Sequence, residues 1–113
     1  MQYYLASMHD PAEPPVRITK PRFVIGRAED CDLRLVNQFI SRRHAELRQH
    51  GDWLHVRDLG SRNGTAVNGQ PVEHEVTLDY GDVVSFGVTA FVVRVAPTDG
   101  LAPAHRIADF AEP

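Results

Sequence analysis

A lone cysteine, Cys31, stands in a chain of 113 residues, which removes any intramolecular disulfide and any zinc site built from several thiolates. It fits a reducing compartment. Lysine is as scarce: Lys20 is the only one, against eleven arginines. No stretch approaches the roughly 18–20 apolar residues of a membrane-spanning helix. Met1–Pro15 lacks the basic start and long apolar run of a secretory signal, so the expected address is cytoplasmic, with no membrane partner. Helical periodicity is nearly missing before residue 96. There is no G-x-x-x-x-G-K-[ST] loop to hold a nucleotide and no G-x-S-x-G nucleophile elbow. The six histidines, His9, His44, His50, His55, His74 and His105, show no metal-ligand spacing with acidic or cysteine partners. No metal and no cofactor are expected.

Basic residues are also too few for a non-specific nucleic-acid binder. Fifteen acids against twelve bases leave a formal charge of −3, where phosphate neutralisation calls for a basic surplus. The bias within the bases is informative in another way. Arginine presents a rigid fork of donors matched to carboxylate and phosphate, whereas lysine is a point charge.

What remains is a chain of the length of one domain, punctuated by eight glycines and eight prolines and built of short alternating runs. Gln2–Ser7 reads as a first strand, followed by a polar, proline-bearing loop from Met8 to Pro15. Val16–Thr19 and Phe23–Ile25 flank a turn at Pro21, and Leu33–Val36 places Leu33 and Leu35 on one face. Ala45 and Leu47 alternate with Glu46 and Arg48. A turn at Gly51 then leads into a returning strand from Trp53 towards Leu59. Val83–Phe86 and Thr89–Val95 form a hairpin across Gly87, with Phe91, Val93 and Val95 on one face. Many short strands separated by Gly, Pro, Asn and Asp indicate an all-β sandwich or barrel. Residues 97–113 break this pattern. Ala104, Ile107, Ala108 and Ala111 fall at helical spacing, and the tail is expected to be disordered or a short docked helix.

The unusual chemistry sits in the loops. Gly26-Arg27 follows Phe23–Ile25; Ser41-Arg42-Arg43-His44 precedes Ala45; Asp58-Leu59-Gly60-Ser61-Arg62-Asn63-Gly64-Thr65 follows the Trp53 strand; Val67-Asn68-Gly69 comes next. Arginine forks, a serine hydroxyl and an asparagine amide on a rigid β scaffold suit a phosphorylated side chain plus its extended backbone. Each residue also has a plain structural reading. Asn68-Gly69 is a hairpin-turn signal, and crowding against it makes Asn63-Gly64 a shaped loop instead. Arg43 reads as a solvated residue and His44 as a buried, hydrogen-bonded brace. Gly26 reads as a backbone conformation needing no Cβ.

In this order and spacing, Gly26-Arg27, Ser41-Arg42-Arg43-His44, Asn63-Gly64-Thr65 and Val67-Asn68-Gly69 resemble a forkhead-associated (FHA) domain. Asp32-Leu33-Arg34-Leu35, Asp58-Leu59 and Gly81-Asp82-Val83-Val84 add to the resemblance. Its motifs run from Phe23 to about Gly87 within a domain expected to cover residues 1–96, and it implies a sandwich of two mostly antiparallel sheets with about eleven short strands and binding loops at one end. It further implies recognition of phosphothreonine, in preference to phosphoserine, in partner proteins, for signalling or assembly. Arg27 and Ser41 would bind the phosphate, Arg42 would add to that contact, Asn63 would hold the peptide main chain and Arg62 would border it. Gly26, His44, Gly64, Thr65, Asn68 and Gly69 would shape loops. A monomer is expected.

The same residues admit two rival readings. Ser41, His44 and Asp58 supply the residue types of a hydrolase triad, yet their spacing along one loop-to-strand junction does not make them converge, so no enzyme is expected. The other rival is phosphate-independent association or oligomerisation of the same fold, through a sheet face or an edge strand, with residues such as Val92 or Tyr80 contributing.

Overall fold

In the computed structural model, which describes residues 1–96, eleven strands form two sheets facing one core. The tail expected to be disordered or helical, 97–113, lies outside the described residues. The strands are β1 (Gln2–Ser7), β2 (Val16–Arg17), β3 (Arg22–Gly26), β4 (Leu33–Arg34), β5 (Ala45–His50), β6 (Trp53–Asp58), β7 (Thr65–Val67), β8 (Gln70–Pro71), β9 (Val76–Leu78), β10 (Val83–Phe86) and β11 (Thr89–Ala96). One sheet runs β2-β1-β11-β10-β7-β8 and the other β4-β3-β5-β6-β9. All pairs are antiparallel except β3 with β4.

The period-two pattern sets the register. Successive side chains on a strand point to opposite faces, so Leu5 opposite Val93, Val84 opposite Phe91, and Leu47 opposite Val56 place apolar partners on the inner face in every case. Leu5, Ile25, Leu47, Leu54, Val56, Val84, Phe86 and Val93 are fully buried, each contributing about 1.5–3 kcal/mol relative to an exposed position. Glu46 points the other way, and its carboxylate closes on Arg22 at 2.7 Å. Trp53 opens β6 but remains 62% exposed, so it builds the strand without joining the core. Val92 is half-buried on the outer face of the six-stranded sheet, and Tyr80 is exposed.

Three short strands are not read from the sequence, β7, β8 and β9. Three residues at β9 show too little alternation to be read, and β8 contains Pro71, a residue that fits only at sheet edges; both strands do lie at edges. Each edge strand has two or three residues, which blunts edge-to-edge pairing. No helix occurs among the described residues, and none is long and apolar enough to cross a membrane.

The connections sort to two ends. The end of β3, the start of β5, the end of β6, the start of β7 and the β10–β11 turn share one end, as the pairings Ile25–Ala45, Ala45–Asp58 and Phe86–Thr65 require. The 8–15 loop emerges at this same end: Met8 N donates to Ala90 O and Ala90 N donates to His9 Nε2.

Candidate functional site

Three loops make the site: 27–32 after β3, 35–44 before β5, and 59–64 between β6 and β7. The first two are laced together by their backbones. Arg27 N donates to Ser41 O (2.9 Å), Ala28 N to Arg42 O (3.0 Å) and His44 N to Ile25 O (2.8 Å). Cys31 Sγ donates to Arg42 O as well, at 3.2 Å; burial pushes this thiol up, which keeps it a protonated donor. Gly26 is what permits the approach. Its φ is not in the left-handed region, so the conformational reason anticipated from sequence is replaced by a steric one: a Cβ there would lie 2.2 Å from Arg42 O. With glycine, Arg27 and Ser41 become neighbours across a single N–H···O bond.

His44 joins those loops to the third. It is fully buried, and its Nδ1 accepts from Ser41 N at 3.1 Å. The ring proton therefore sits on Nε2, which donates to Gly64 O at 2.8 Å. The imidazole edge also meets Phe86 at 6.1 Å and 86°, an edge-to-face contact. The hydrolase geometry is missing. His44 takes the backbone N–H of Ser41 and not its hydroxyl, and Asp58 is turned to other partners.

Asp58 builds the third loop. Its carboxylate accepts from Gly60 N, Ser61 N, Ser61 Oγ and Thr65 Oγ1 at 2.6–2.9 Å, while Ser61 Oγ accepts from Gly64 N. Gly64 turns the chain at φ 86°, and its carbonyl also accepts from Gly87 N. Burial by itself raises the pKa of Asp58, but the hydrogen bonds from Ser61, Thr65 and Gly60 outweigh it and hold the group below the ordinary 3.8. A carboxyl whose folded pKa is depressed stabilises the fold above its unfolded value and loses that contribution as pH falls through the folded one. Asp32, tied to Lys20 and Val24 N, behaves alike. Thermal melts from about pH 5 down to about pH 2.5 should show wild-type stability falling, and an Asp58→Asn variant should show a shallower fall.

This scaffold presents five side chains to solvent at one end. Arg27 is exposed, its Nε donating to Ile40 O at 3.2 Å, which steadies the guanidinium and leaves its terminal nitrogens with no protein acceptor among the described residues. Ser41 Oγ accepts from Arg62 N at 3.0 Å, so its own proton is available for another acceptor. Asn63 Nδ2 donates to Phe39 O at 3.0 Å, leaving its carbonyl oxygen and a second N–H for a ligand. Arg42 and Arg62 are exposed, with no protein acceptor for either guanidinium among the described residues. Together the set offers fixed donors for an anion beside an amide that keeps an acceptor and a donor for a ligand.

Asn68 and Gly69 are not brought to this end. With φ of 51° and 83° they form the tight β7–β8 turn, where Asn68 bonds Val83 N and Asp82, so they shape that hairpin and not the binding loops. Ser61, Phe39 and Ile40 went unnoticed as supports. The contributions of Phe39 and Ile40 come from backbone carbonyls, which no side-chain pattern announces. Ser61 sits at the third position after Asp58, a spacing suited to a local side-chain-to-backbone turn, and could have been found. Arg43 is exposed but paired with Asp30 at 2.6 Å. No group of three or more His, Cys, Asp or Glu placed to hold a metal occurs among the described residues.

A sandwich whose end loops are joined through a buried histidine and expose an arginine, a serine and an asparagine defines a class of anion-reading peptide binders. Residues 23–87 match the FHA domain family, and the chain belongs to it. Over 72 residues it is 43% identical to the FHA domain-containing protein FhaA of Mycobacterium tuberculosis, covering 64% of this chain and 14% of that protein. Over 80 residues it is 41% identical to the glycogen accumulation regulator GarA of Mycolicibacterium smegmatis, covering 71% of this chain and 50% of that protein. The chain thus spans half or less of the length of these two relatives. Among solved structures, the yeast Dun1 FHA domain in complex with a doubly phosphorylated (pT) peptide superposes with a TM-score of 0.70 at 31% identity, covering 88% of this chain and 79% of that one.

Proposed function

We propose that residues 1–96 are a phosphothreonine-reading module that docks partner proteins after a kinase has modified them, in cytoplasmic signalling or assembly. The observation that carries this is the lacing of Arg27 N to Ser41 O at 2.9 Å, which fixes an arginine fork beside a serine hydroxyl whose proton is uncommitted. A phosphothreonine brings about −1.5 to −2 charges and three acceptor oxygens at pH 7. Arg27 and Arg42 neutralise that charge, the Ser41 hydroxyl donates to one oxygen, Asn63 pairs with the peptide main chain and Arg62 borders it. The phosphopeptide complex of the Dun1 domain supports the same reading. The module binds and does not turn over its ligand: the His44 ring is committed to Ser41 N and Gly64 O, and the Asp58 carboxylate to Gly60, Ser61 and Thr65, so neither serves the Ser41 hydroxyl as a base.

A degenerate peptide library with threonine phosphorylated at one fixed position tests this on the immobilised domain. Retention of a phosphorylated subset, with no retention of the same library unphosphorylated, is the expected result. Equal retention of both would contradict it.

A further inference from the structure

The outer face of the six-stranded sheet carries little charge for a surface in water. Leu5, Val84, Phe91 and Val93 point inward, so their neighbours along β1, β10 and β11 point out. The register sorts those neighbours into rows across the sheet. One row is charged, with Arg17 and Arg94 on either side of Tyr4. The next holds Ala6, Val92 and Val83 side by side, and beyond it Ser85 lies next to Ala66. An antiparallel sheet with one wet face normally alternates apolar-in with polar-out. These two rows hold no charged side chain, which marks a face suited to being covered.

What can cover it follows from where the described chain ends. β11 lies inside this sheet, and its last residue, Ala96, sits opposite Gln2 beside the arginine row. Residues 97–113 continue from that margin, and in sequence Ala104, Ile107, Ala108 and Ala111 fall on one side of a helical repeat. The same segment carries Asp99, Asp109 and Glu112 against Arg106. On the face, Arg17 donates to Gln2 and Arg94 to Tyr80, and neither has a carboxylate partner among the described residues. The charges are therefore complementary. Residues 97–103 can extend about 25 Å, and a helix over 104–111 is about 12 Å long, so the two apolar rows are within reach. A second copy of the chain fits less well. The two rows span roughly 200 Å², where a stable interface needs about 800 Å² on each side.

We propose that residues 104–111 dock as a short amphipathic helix on the outer face of the six-stranded sheet, with Ile107 set against Val92 and Val83. A helix of this length does not hold in water by itself. Attachment through 97–103 supplies it to the face at an effective concentration in the millimolar range, about that of other short tethers. The docked segment also occupies the face that phosphate-independent association through Val92 would use.

Paramagnetic NMR on the full chain tests this. A nitroxide is attached at His105→Cys in a Cys31→Ser background, where serine keeps a donor for Arg42 O. The expected result is broadening of the Ala6, Val83 and Val92 amides, with Arg48 and His55 on the opposite sheet untouched. Adding Ile107→Asp should restore the broadened signals and lower the melting temperature by about 5 °C. Broadening that falls elsewhere or nowhere, or that survives Ile107→Asp, overturns the proposal. So does broadening of an isotope-labelled chain without nitroxide by a nitroxide-bearing one mixed with it, which would make the occupant a second copy.

Discussion

Replacing Arg27 by alanine is expected to weaken binding of a phosphothreonine peptide by about ten- to a hundredfold, with the melting temperature unchanged. The size follows from what the guanidinium can supply: hydrogen bonds to a charged group contribute about 1.5–3 kcal/mol, and each 1.4 kcal/mol is about tenfold in affinity. The unchanged melting temperature follows from its position. Arg27 is exposed, and its side chain has one protein partner, the Ile40 carbonyl. The loop is held instead by backbone bonds that alanine retains. Titration calorimetry and a thermal melt on the same preparation check both halves. Equal affinities would remove Arg27 from the phosphate site.

His44→Leu should behave in the opposite order, losing stability first. Leucine fills a similar volume but returns neither hydrogen bond, so the Ser41 N–H loses its acceptor in a part-buried setting. The Gly64 carbonyl keeps its bond from Gly87 N, which limits the damage on that side. Leaving a buried polar group unpaired costs about 1–3 kcal/mol. With the lost Nε2 bond and the edge contact to Phe86, a total of about 2–4 kcal/mol is expected. For a domain of this size that lowers the melting temperature by roughly 10–25 °C. Affinity measured well below the melt should fall too, because Ser41 and Gly64 are no longer held in register. A variant that melts like wild type would show that His44 is not the brace between the loops.

These two residues differ in how legible they were. Arg27 is an exposed charged group after an apolar run, and its chemistry is plain in the sequence. The His44 brace was readable as a type of role, but its partners were not, since a backbone N–H and a carbonyl carry no residue identity. Gly26 makes the same point: its need for a missing Cβ was foreseeable, while the reason, a carbonyl arriving from sixteen residues along at Arg42, is a tertiary fact. The two Asn-Gly pairs are chemically identical. Their different roles follow from φ, positive at Asn68 and not at Asn63, and the crowding of the pairs already hinted at it. Strands with four or more alternating residues, such as β1, β10 and β11, could be bounded closely from the sequence. β8 and β9 are too short for alternation to register. The arginine-rich composition likewise becomes local: Arg43 and Lys20 are held by Asp30 and Asp32, which leaves Arg27, Arg34, Arg42 and Arg62 at the binding end of an acidic chain.

The central claim is that this end reads a phosphate, and one paired titration tests it most directly. A phosphothreonine peptide retained from the library is split, half is dephosphorylated, and both halves are titrated into the domain by calorimetry. Saturable single-site binding of the phosphorylated half, with no measurable heat from the other, is the predicted result. Equal binding of the two halves would contradict the account.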